Sequence, residues 1–166
     1  MTNDIKISNI ENDRSEEIFQ LHKQEFPTIS EANLVLQLEN DKDVVLSLGA
    51  TRNHQLIGHL VLSRMRAPFP ALGMAPISID KNNRRQGIAS LLIRHAIKYS
   101  QAQNWSGIFV LGEPNFYQRF GFSTSAAKDF ICPFSGPYFM YLPLTELPKG
   151  LERAKINYAK AFDGLA

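Results

Sequence analysis

Arg84-Arg85-Gln86-Gly87-Ile88-Ala89 stands between an apolar, strand-like run, Ala75-Pro76-Ile77-Ser78-Ile79, and a long amphipathic segment. A loop of this composition opening a helix makes an anion site. The first turn of a helix carries backbone N–H groups with no intrahelical partner, together with the positive end of the macrodipole. Gly87 removes a side chain where a pyrophosphate must approach the backbone, and Ala89 keeps the next turn small. Lys81, Arg84 and Arg85 add positive charge, which suits a ligand with several phosphates better than a single carboxylate. A coenzyme with a pyrophosphate fits; on these six residues alone the alternative is an ordinary strand-loop-helix connection with solvated basic side chains.

The rest of the chain bounds what such a site can belong to. At 166 residues it is the size of one domain, expected to span 1–166, with room for a core that needs no disulfide or metal. A net charge of +2 is too small to point to nucleic acid, and there is no reading helix, so no nucleic-acid partner is expected. Cys132 is the only cysteine, which excludes an internal disulfide and a cysteine zinc site and leaves no metal expected. It lies in Phe130-Ile131-Cys132-Pro133, the setting of a buried, inert thiol. The N-terminus lacks a signal-peptide pattern and no apolar run approaches the ~20 residues of a membrane span. A cytoplasmic protein with no membrane partner is the expectation.

The periodicity predicts the elements that must hold the site. Asp4 to Ile10 reads as a strand, Asp13 to Phe26 as a helix with Ile18, Leu21, His22 and Glu25 on or beside one face, and a second helix begins at Ser30, a possible N-cap. Val44 to Ala50 and Gln55 to Ser63 form a hairpin across Thr51-Arg52-Asn53-His54. Arg66 to Ala71, with two prolines, is a loop. The strand ending at Ile79 is followed by a helix from about Gln86 to Gln103, with Ile88, Leu91, Leu92, His95, Ala96 and Tyr99 as its apolar stripe. Gly107 to Leu111 is a short strand, Asn115 to Phe120 a turn or two of helix ended by Gly121, and Phe130 to Pro133 and Tyr138 to Leu142 are late strands. Arg153 to Phe162 is open between strand and short helix. Strand-helix-strand around the anion site implies a parallel or mixed sheet.

Taken together, these residues resemble the GCN5-related N-acetyltransferase superfamily. Its central signature, a strand followed by Arg or Gln, two residues, Gly, one residue and Gly or Ala, is matched by Arg84, Gly87 and Ala89. Leu111-Gly112-Glu113-Pro114-Asn115-Phe116-Tyr117-Gln118-Arg119-Phe120-Gly121-Phe122 is similar to a segment of a bacterial subgroup that places a tyrosine before a Gly-Phe pair. Gly58-His59-Leu60 and Leu72-Gly73-Met74-Ala75-Pro76 are similar to that subgroup too. The resemblance covers roughly residues 4 to 145 and implies an α/β fold: a mixed, mostly antiparallel sheet of about seven strands, splayed between strands 4 and 5, with about four flanking helices.

What the resemblance implies for chemistry is transfer of an acetyl group from acetyl-CoA directly to a primary amine of a small molecule or peptide, by an acyltransferase acting as monomer or homodimer. The backbone of Ile77, Ser78 and Ile79 then pairs with the pantetheine arm. The amides of Arg85, Gln86, Gly87, Ile88, Ala89 and Ser90 hold the pyrophosphate, with Arg84 beside them. A backbone N–H near Ile79 serves the oxyanion. Asn115 is a coenzyme contact or simply a helix-start residue. Tyr117 is the matching partner of the leaving thiolate. A phenol is a poor acid toward a thiolate by about 2 kcal/mol in water, so its part is as much hydrogen bonding as proton transfer. Its alternative is an anchor among Phe116, Phe120 and Phe122. An amine of pKa ~10.4 also needs a base. Glu113 ranks first, with His59 and Glu25 behind it, and a water chain as another route. Phe26, Phe69, Phe134, Tyr138 and Phe139 are candidates to line the acceptor site, with core packing the competing role.

Two other classes fit less of the sequence. A non-catalytic acyl-CoA-binding regulatory module would keep residues 84–89 and need no Tyr117. A dinucleotide oxidoreductase needs three glycines after the first strand and an acidic residue on the ribose further on, and this chain has neither near its N-terminus.

Overall fold

The computed structural model describes residues 4–10 and 12–165. Among them are six strands in the order β1-β2-β3-β4-β5-β6: β1 Lys6–Asn9, β2 Val44–Arg52, β3 Gln55–Arg64, β4 Ala71–Ile79, β5 Gly107–Leu111 and β6 Phe139–Pro143. Five α-helices accompany them: α1 Ser15–Glu25, α2 Ser30–Asn40, α3 Ile88–Ala102 and two of one turn, α4 Pro114–Tyr117 and α5 Thr124–Ala127. The fold is mixed α/β. No helix among the described residues is long and apolar enough to cross a membrane. The chain divides into two compact units, Met1–Leu62 with Pro76–Ala96, and Ser63–Ala75 with Ile97–Ala166.

In the first unit β1 runs antiparallel to β2, from Lys6 opposite Thr51 to Asn9 opposite Leu48. The β2–β3 turn has both central residues at positive φ, Asn53 at 51° and His54 at 68°. That is the backbone of a type I′ turn, whose twist matches a hairpin. Leu46, Leu48, Ile57, Leu60, Val61 and Leu62 of the hairpin are buried with Ile18 and Leu21 of α1 and Leu34, Val35 and Leu38 of α2. Each such side chain contributes on the order of 1.5–3 kcal/mol by leaving water. Ser30 is the first residue of α2 rather than its cap: Ile29 holds the cap position, and the Ser30 N–H donates to Thr28 Oγ1 at 3.3 Å.

α3 begins at Ile88, two residues later than the pattern predicts, because Gly87 has φ +77°, outside helical geometry. Its buried residues in the first unit are Ile88, Leu92, Ile93 and Ala96. His95, expected on that stripe, is exposed. The sequence i, i+4, i+8 from Ile88 carries the face toward Ile93 and away from His95.

In the second unit β4 and β5 are parallel, with three registered pairs, Ala71 with Gly107, Leu72 with Ile108 and Gly73 with Phe109. This pairing draws Ala71 to Met74 into β4, which is longer than the Ala75–Ile79 run predicted. β5 and β6 are antiparallel over five pairs, Gly107 with Pro143 through Leu111 with Phe139. The β4–β5 register ends at Gly73 and Phe109, while β5 continues along β6 to Leu111. Phe109 is the centre of the core here, with ring centroids 4.3 Å from Tyr141, 5.2 Å from Phe130 and 5.4 Å from Phe139.

The strand count is six, not seven. Ile131 makes only an isolated bridge to Lys155, and Cys132-Pro133 then turns away, Pro133 having no N–H for a ladder. The tail makes one further bridge, Asn157 to Arg66. It stops there because the Tyr158 N–H donates to the Asn157 side chain at 2.8 Å. A 3₁₀-helix, Lys160–Leu165, follows, so the open segment holds bridges and a short helix in turn. Arg66 fastens it, donating to the Tyr158 carbonyl at 2.7 Å and pairing with Asp163.

Gly107 tests how closely this core is packed. A Cβ there would lie 2.2 Å from the Tyr141 hydroxyl oxygen and 2.4 Å from its ring. Tyr141 is buried, stacked on Phe109 and donates to the Ser106 carbonyl at 3.3 Å. Gly107→Ala is therefore expected to destabilise the fold by about 1–3 kcal/mol, read as a lowered urea midpoint at unchanged slope. An unaltered midpoint would show that Tyr141 moves freely.

Candidate functional site

In the first unit the loop after β4 turns on Asp80, whose N–H donates to the Ile57 carbonyl at 2.8 Å, and passes through a 3₁₀ turn, Lys81–Asn83. Arg85 has φ 63° and Gly87 φ 77°. Two left-handed residues on either side of Gln86, just before a helix, are the kind of backbone from which anion nests are built. Gly87 is the cap of α3, its carbonyl accepting from the Leu91 N–H at 3.0 Å. The N–H groups of Ile88, Ala89 and Ser90 therefore have no partner within the helix. Gly87 is exposed, and a Cβ built on it meets nothing within 4 Å. The backbone faces open space, as a pyrophosphate needs.

Side chains hold this loop in place. Arg52 on β2 donates to Asn83 Oδ1 at 2.7 Å and to Gln86 Oε1 at 2.8 Å. Arg84 pairs with Glu25 at the end of α1, and the Lys81 N–H donates to the same carboxylate at 3.2 Å. The Glu25 side chain is only 4% exposed. Glu25 is thus a structural brace, not an open base, and the Arg84 side chain, read from sequence as lying beside the pyrophosphate, has a partner in the fold, as does the Gln86 side chain. Arg85 is left exposed. Ile79 points to the α3 side: a Cβ at Gly58 would lie 3.0 Å from Ile79, 3.1 Å from Ile88 and 3.3 Å from Leu92, so glycine lets these three close over β3.

Ser78 points the other way. Its Oγ hydrogen-bonds His22 Nδ1 at 2.6 Å, His22 Nε2 meets His59 Nδ1 at 2.8 Å, and His59 Nε2 meets Ser47 Oγ at 2.6 Å. Both rings are completely buried. Burial pushes both imidazoles well below their usual range, and the neighbouring His22 lowers His59 further. His59 therefore has neither the exposure nor the ordinary pKa that made it a candidate base. Phe26 stacks on His22 at 6.3 Å.

In the second unit Glu113 occupies the cap position of α4, where its carbonyl accepts from the Phe116 and Tyr117 N–H groups, both at 3.1 Å. Its side chain makes no cap hydrogen bond, and Glu113 and Asn115 are exposed. Tyr117 packs edge-on to Phe116 at 5.0 Å and Phe122 at 5.9 Å. Its ring lies against Gly112, where a Cβ would fall 2.5 Å from Cε2. Burial raises the Tyr117 phenol, which stays protonated at neutral pH and able to donate. The Cys132 thiol is buried and raised as well. The Tyr158 hydroxyl is buried with no hydrogen-bond partner, its pKa raised first by burial and then by Cys132 and Tyr117. Of the aromatic acceptor-site candidates, Phe69 and Phe139 are core residues and Tyr138 is 52% exposed. No group of three or more His, Cys, Asp or Glu is placed to hold a metal among the described residues.

Sequence reading missed the Ser78–His22–His59–Ser47 chain, whose links span 56, 37 and 12 residues. The available signal was two histidines on apolar faces of a predicted helix and strand. Because the folded rings resist protonation, the unfolded chain binds more protons below pH ~6.5, and stability falls as pH falls through that value. With both rings contributing, the slope approaches about 2.7 kcal/mol per pH unit. Urea midpoints from pH 7 to 5 check this, and His59→Gln should flatten the dependence. Identical pH profiles for parent and variant would contradict the neutral buried pair.

The acetyltransferase (GNAT) domain family matches residues 43–124. An uncharacterised N-acetyltransferase of Escherichia coli strain K12, YhbS, is 32% identical over 120 residues, which are 70% of this chain and 72% of the relative. The crystal structure of the E. coli GNAT family N-acetyltransferase YhbS in complex with CoA superposes with a TM-score of 0.89 at 27% identity, covering 96% of this chain and 92% of that one. A GNAT family acetyltransferase from Brucella melitensis in complex with acetyl-CoA shares the fold, with a TM-score of 0.80 at 24% identity over 96% and 98% of the two chains. The anion nest at α3 and these likenesses agree: the chain belongs to the GCN5-related N-acetyltransferase (GNAT) family.

Proposed function

We propose that this protein is a cytoplasmic acetyl-CoA-dependent N-acetyltransferase, acting as one catalytic domain on a primary amine of a small molecule or peptide through a ternary complex. The observation that carries the reading is the exposed left-handed turn at Arg85 and Gly87, with open space beside Gly87, leading directly into the first turn of α3. CoA bound to YhbS and acetyl-CoA bound to the Brucella protein support that ligand for the nest. The amides of 85–90 hold the pyrophosphate, with Arg85 adding charge. Arg84 and Gln86 serve by keeping the loop's shape through Glu25 and Arg52.

Acetyl-CoA supplies the thioester. The backbone of Ile77 to Ile79 aligns the pantetheine arm, and the N–H near Ile79 donates to the oxyanion formed as the amine attacks. Tyr117, kept protonated by its burial, donates a hydrogen bond to the departing thiolate. Glu113, exposed at the start of α4, takes the proton of an ammonium arriving from solvent, and Asn115 meets the coenzyme's amides.

The test is acetyl-CoA-dependent release of free thiol across a panel of primary amines, with acetylated product identified by mass spectrometry. Turnover with at least one amine is expected. Acetyl-CoA binding without turnover on any amine would favour the non-catalytic module. Tyr117→Phe should lower kcat by about tenfold or more while acetyl-CoA affinity stays within about twofold. An unchanged kcat would remove Tyr117 from the chemistry.

A further inference from the structure

The acyl-transfer reading uses Ser78 only through its backbone, yet its side chain ends a continuous chain of hydrogen bonds. Ser78 on β4, His22 on α1, His59 on β3 and Ser47 on β2 are joined at 2.6, 2.8 and 2.6 Å, so each ring nitrogen of the pair has a partner. A neutral imidazole has one N–H and one acceptor nitrogen. The chain therefore has two self-consistent states, with all its hydrogens directed from Ser78 to Ser47 or all from Ser47 to Ser78. One hop per link moves a proton from end to end and leaves no charge on either ring. Complete burial, which disfavours an imidazolium, is compatible with a transfer of this kind. The two ends face different surroundings. Ser78, only 3% exposed, lies on β4 beside Ile79, whose N–H the acyl-transfer reading places at the reacting carbonyl. Ser47 lines a cavity of about 550 Å³ with Asn9, Glu39, Asn40 and Lys42, of which Asn40 and Lys42 are exposed.

We propose that Ser78, His22, His59 and Ser47 form a proton relay that carries the proton lost by the attacking amine from β4 to the cavity at Ser47. This rests on the N-acetyltransferase reading and adds to it the path of the second proton, Glu113 having taken the first. As the N–C bond forms and the amine N–H bond breaks, that proton bonds to Ser78 Oγ. The Ser78 proton passes to His22 Nδ1, the His22 Nε2 proton to His59 Nδ1, the His59 Nε2 proton to Ser47 Oγ, and the Ser47 proton to water. One proton enters and one leaves, and the hydrogen bonds now run the other way. A proton entering at Ser47 and leaving from Ser78 to the thiolate restores the first state, so the chain is unchanged after each turnover. In this relay Ser78 is the end nearest the reacting carbonyl, through its neighbour Ile79; His22, His59 and Ser47 act through it.

Ser47→Ala breaks the far end and leaves both rings in place. In ¹⁵N-histidine-labelled protein, the proton shared by His22 Nε2 and His59 Nδ1 should exchange with water about tenfold more slowly in the variant than in the parent. Equal exchange rates overturn the relay. With the best amine of the thiol-release panel, S47A should lose about tenfold in kcat at unchanged acetyl-CoA affinity, and the curved solvent proton inventory of the parent should become linear. Parent-like kcat and inventory in S47A overturn the relay while leaving acyl transfer intact; absence of turnover in the parent overturns the acyl-transfer reading itself. Should S47A fail to fold, His59→Gln, which retains a donor and an acceptor but no ring to pass a proton through, is read in the same way.

Discussion

An α-helix whose first turn has no intrahelical partners for its amides has to be held at that end by groups other than its own hydrogen bonds. Here the start of α3 is fixed by two left-handed residues, Arg85 and Gly87, separated by one. Glycine takes that conformation freely, whereas a left-handed arginine costs on the order of 1 kcal/mol and persists only when its surroundings impose it. The surroundings do so through Arg52, which spans Asn83 and Gln86, and Glu25, which receives Arg84 and the Lys81 amide. The anion nest is therefore a consequence of β2 and α1 as much as of the loop that displays it.

This bracing redistributes the charges of the motif. A row of basic residues before a helix reads as a row of phosphate ligands, but the buried carboxylate of Glu25 claims Arg84, and in the proposed function the phosphate falls to main-chain N–H groups and Arg85. Main-chain donors fixed in advance reorganise little when an anion arrives, which is the condition for strong electrostatic stabilisation in a site. The helix that supplies Glu25 also supplies His22, so the last two turns of α1 both fix the loop before α3 and enter the buried hydrogen-bonded chain.

Local features of the fold were legible because they depend on local geometry. The strand before the motif, the helix after it, the hairpin at Asn53-His54 and the helical turn ended by Gly121 each follow from residue type and spacing. Features that depend on partners far along the chain were not. β4 extends back to Ala71 because Gly107 to Phe109 lies beside it, which no property of residues 71–74 announces. A seventh strand was expected from apolar composition at Phe130 to Pro133, and Asn157 and Pro133 limit that region to single bridges. In the site, Gly87 was readable from the need for a bare backbone, whereas the commitment of Arg84 to Glu25, 59 residues away, and of Gln86 to Arg52, 34 residues away, was hidden. The ordinary pKa that makes His59 a candidate base in the sequence is removed by its burial.

The central claim is that the left-handed backbone at the start of α3 receives the pyrophosphate of acetyl-CoA. Calorimetric titration of the protein with acetyl-CoA, with NADH and a Gly87→Glu variant as controls, tests it most directly. Saturable binding of acetyl-CoA that NADH does not reproduce, and that is lost when a carboxylate is placed against the nest, is the result this account predicts. Acetyl-CoA binding of equal strength in Gly87→Glu would contradict it.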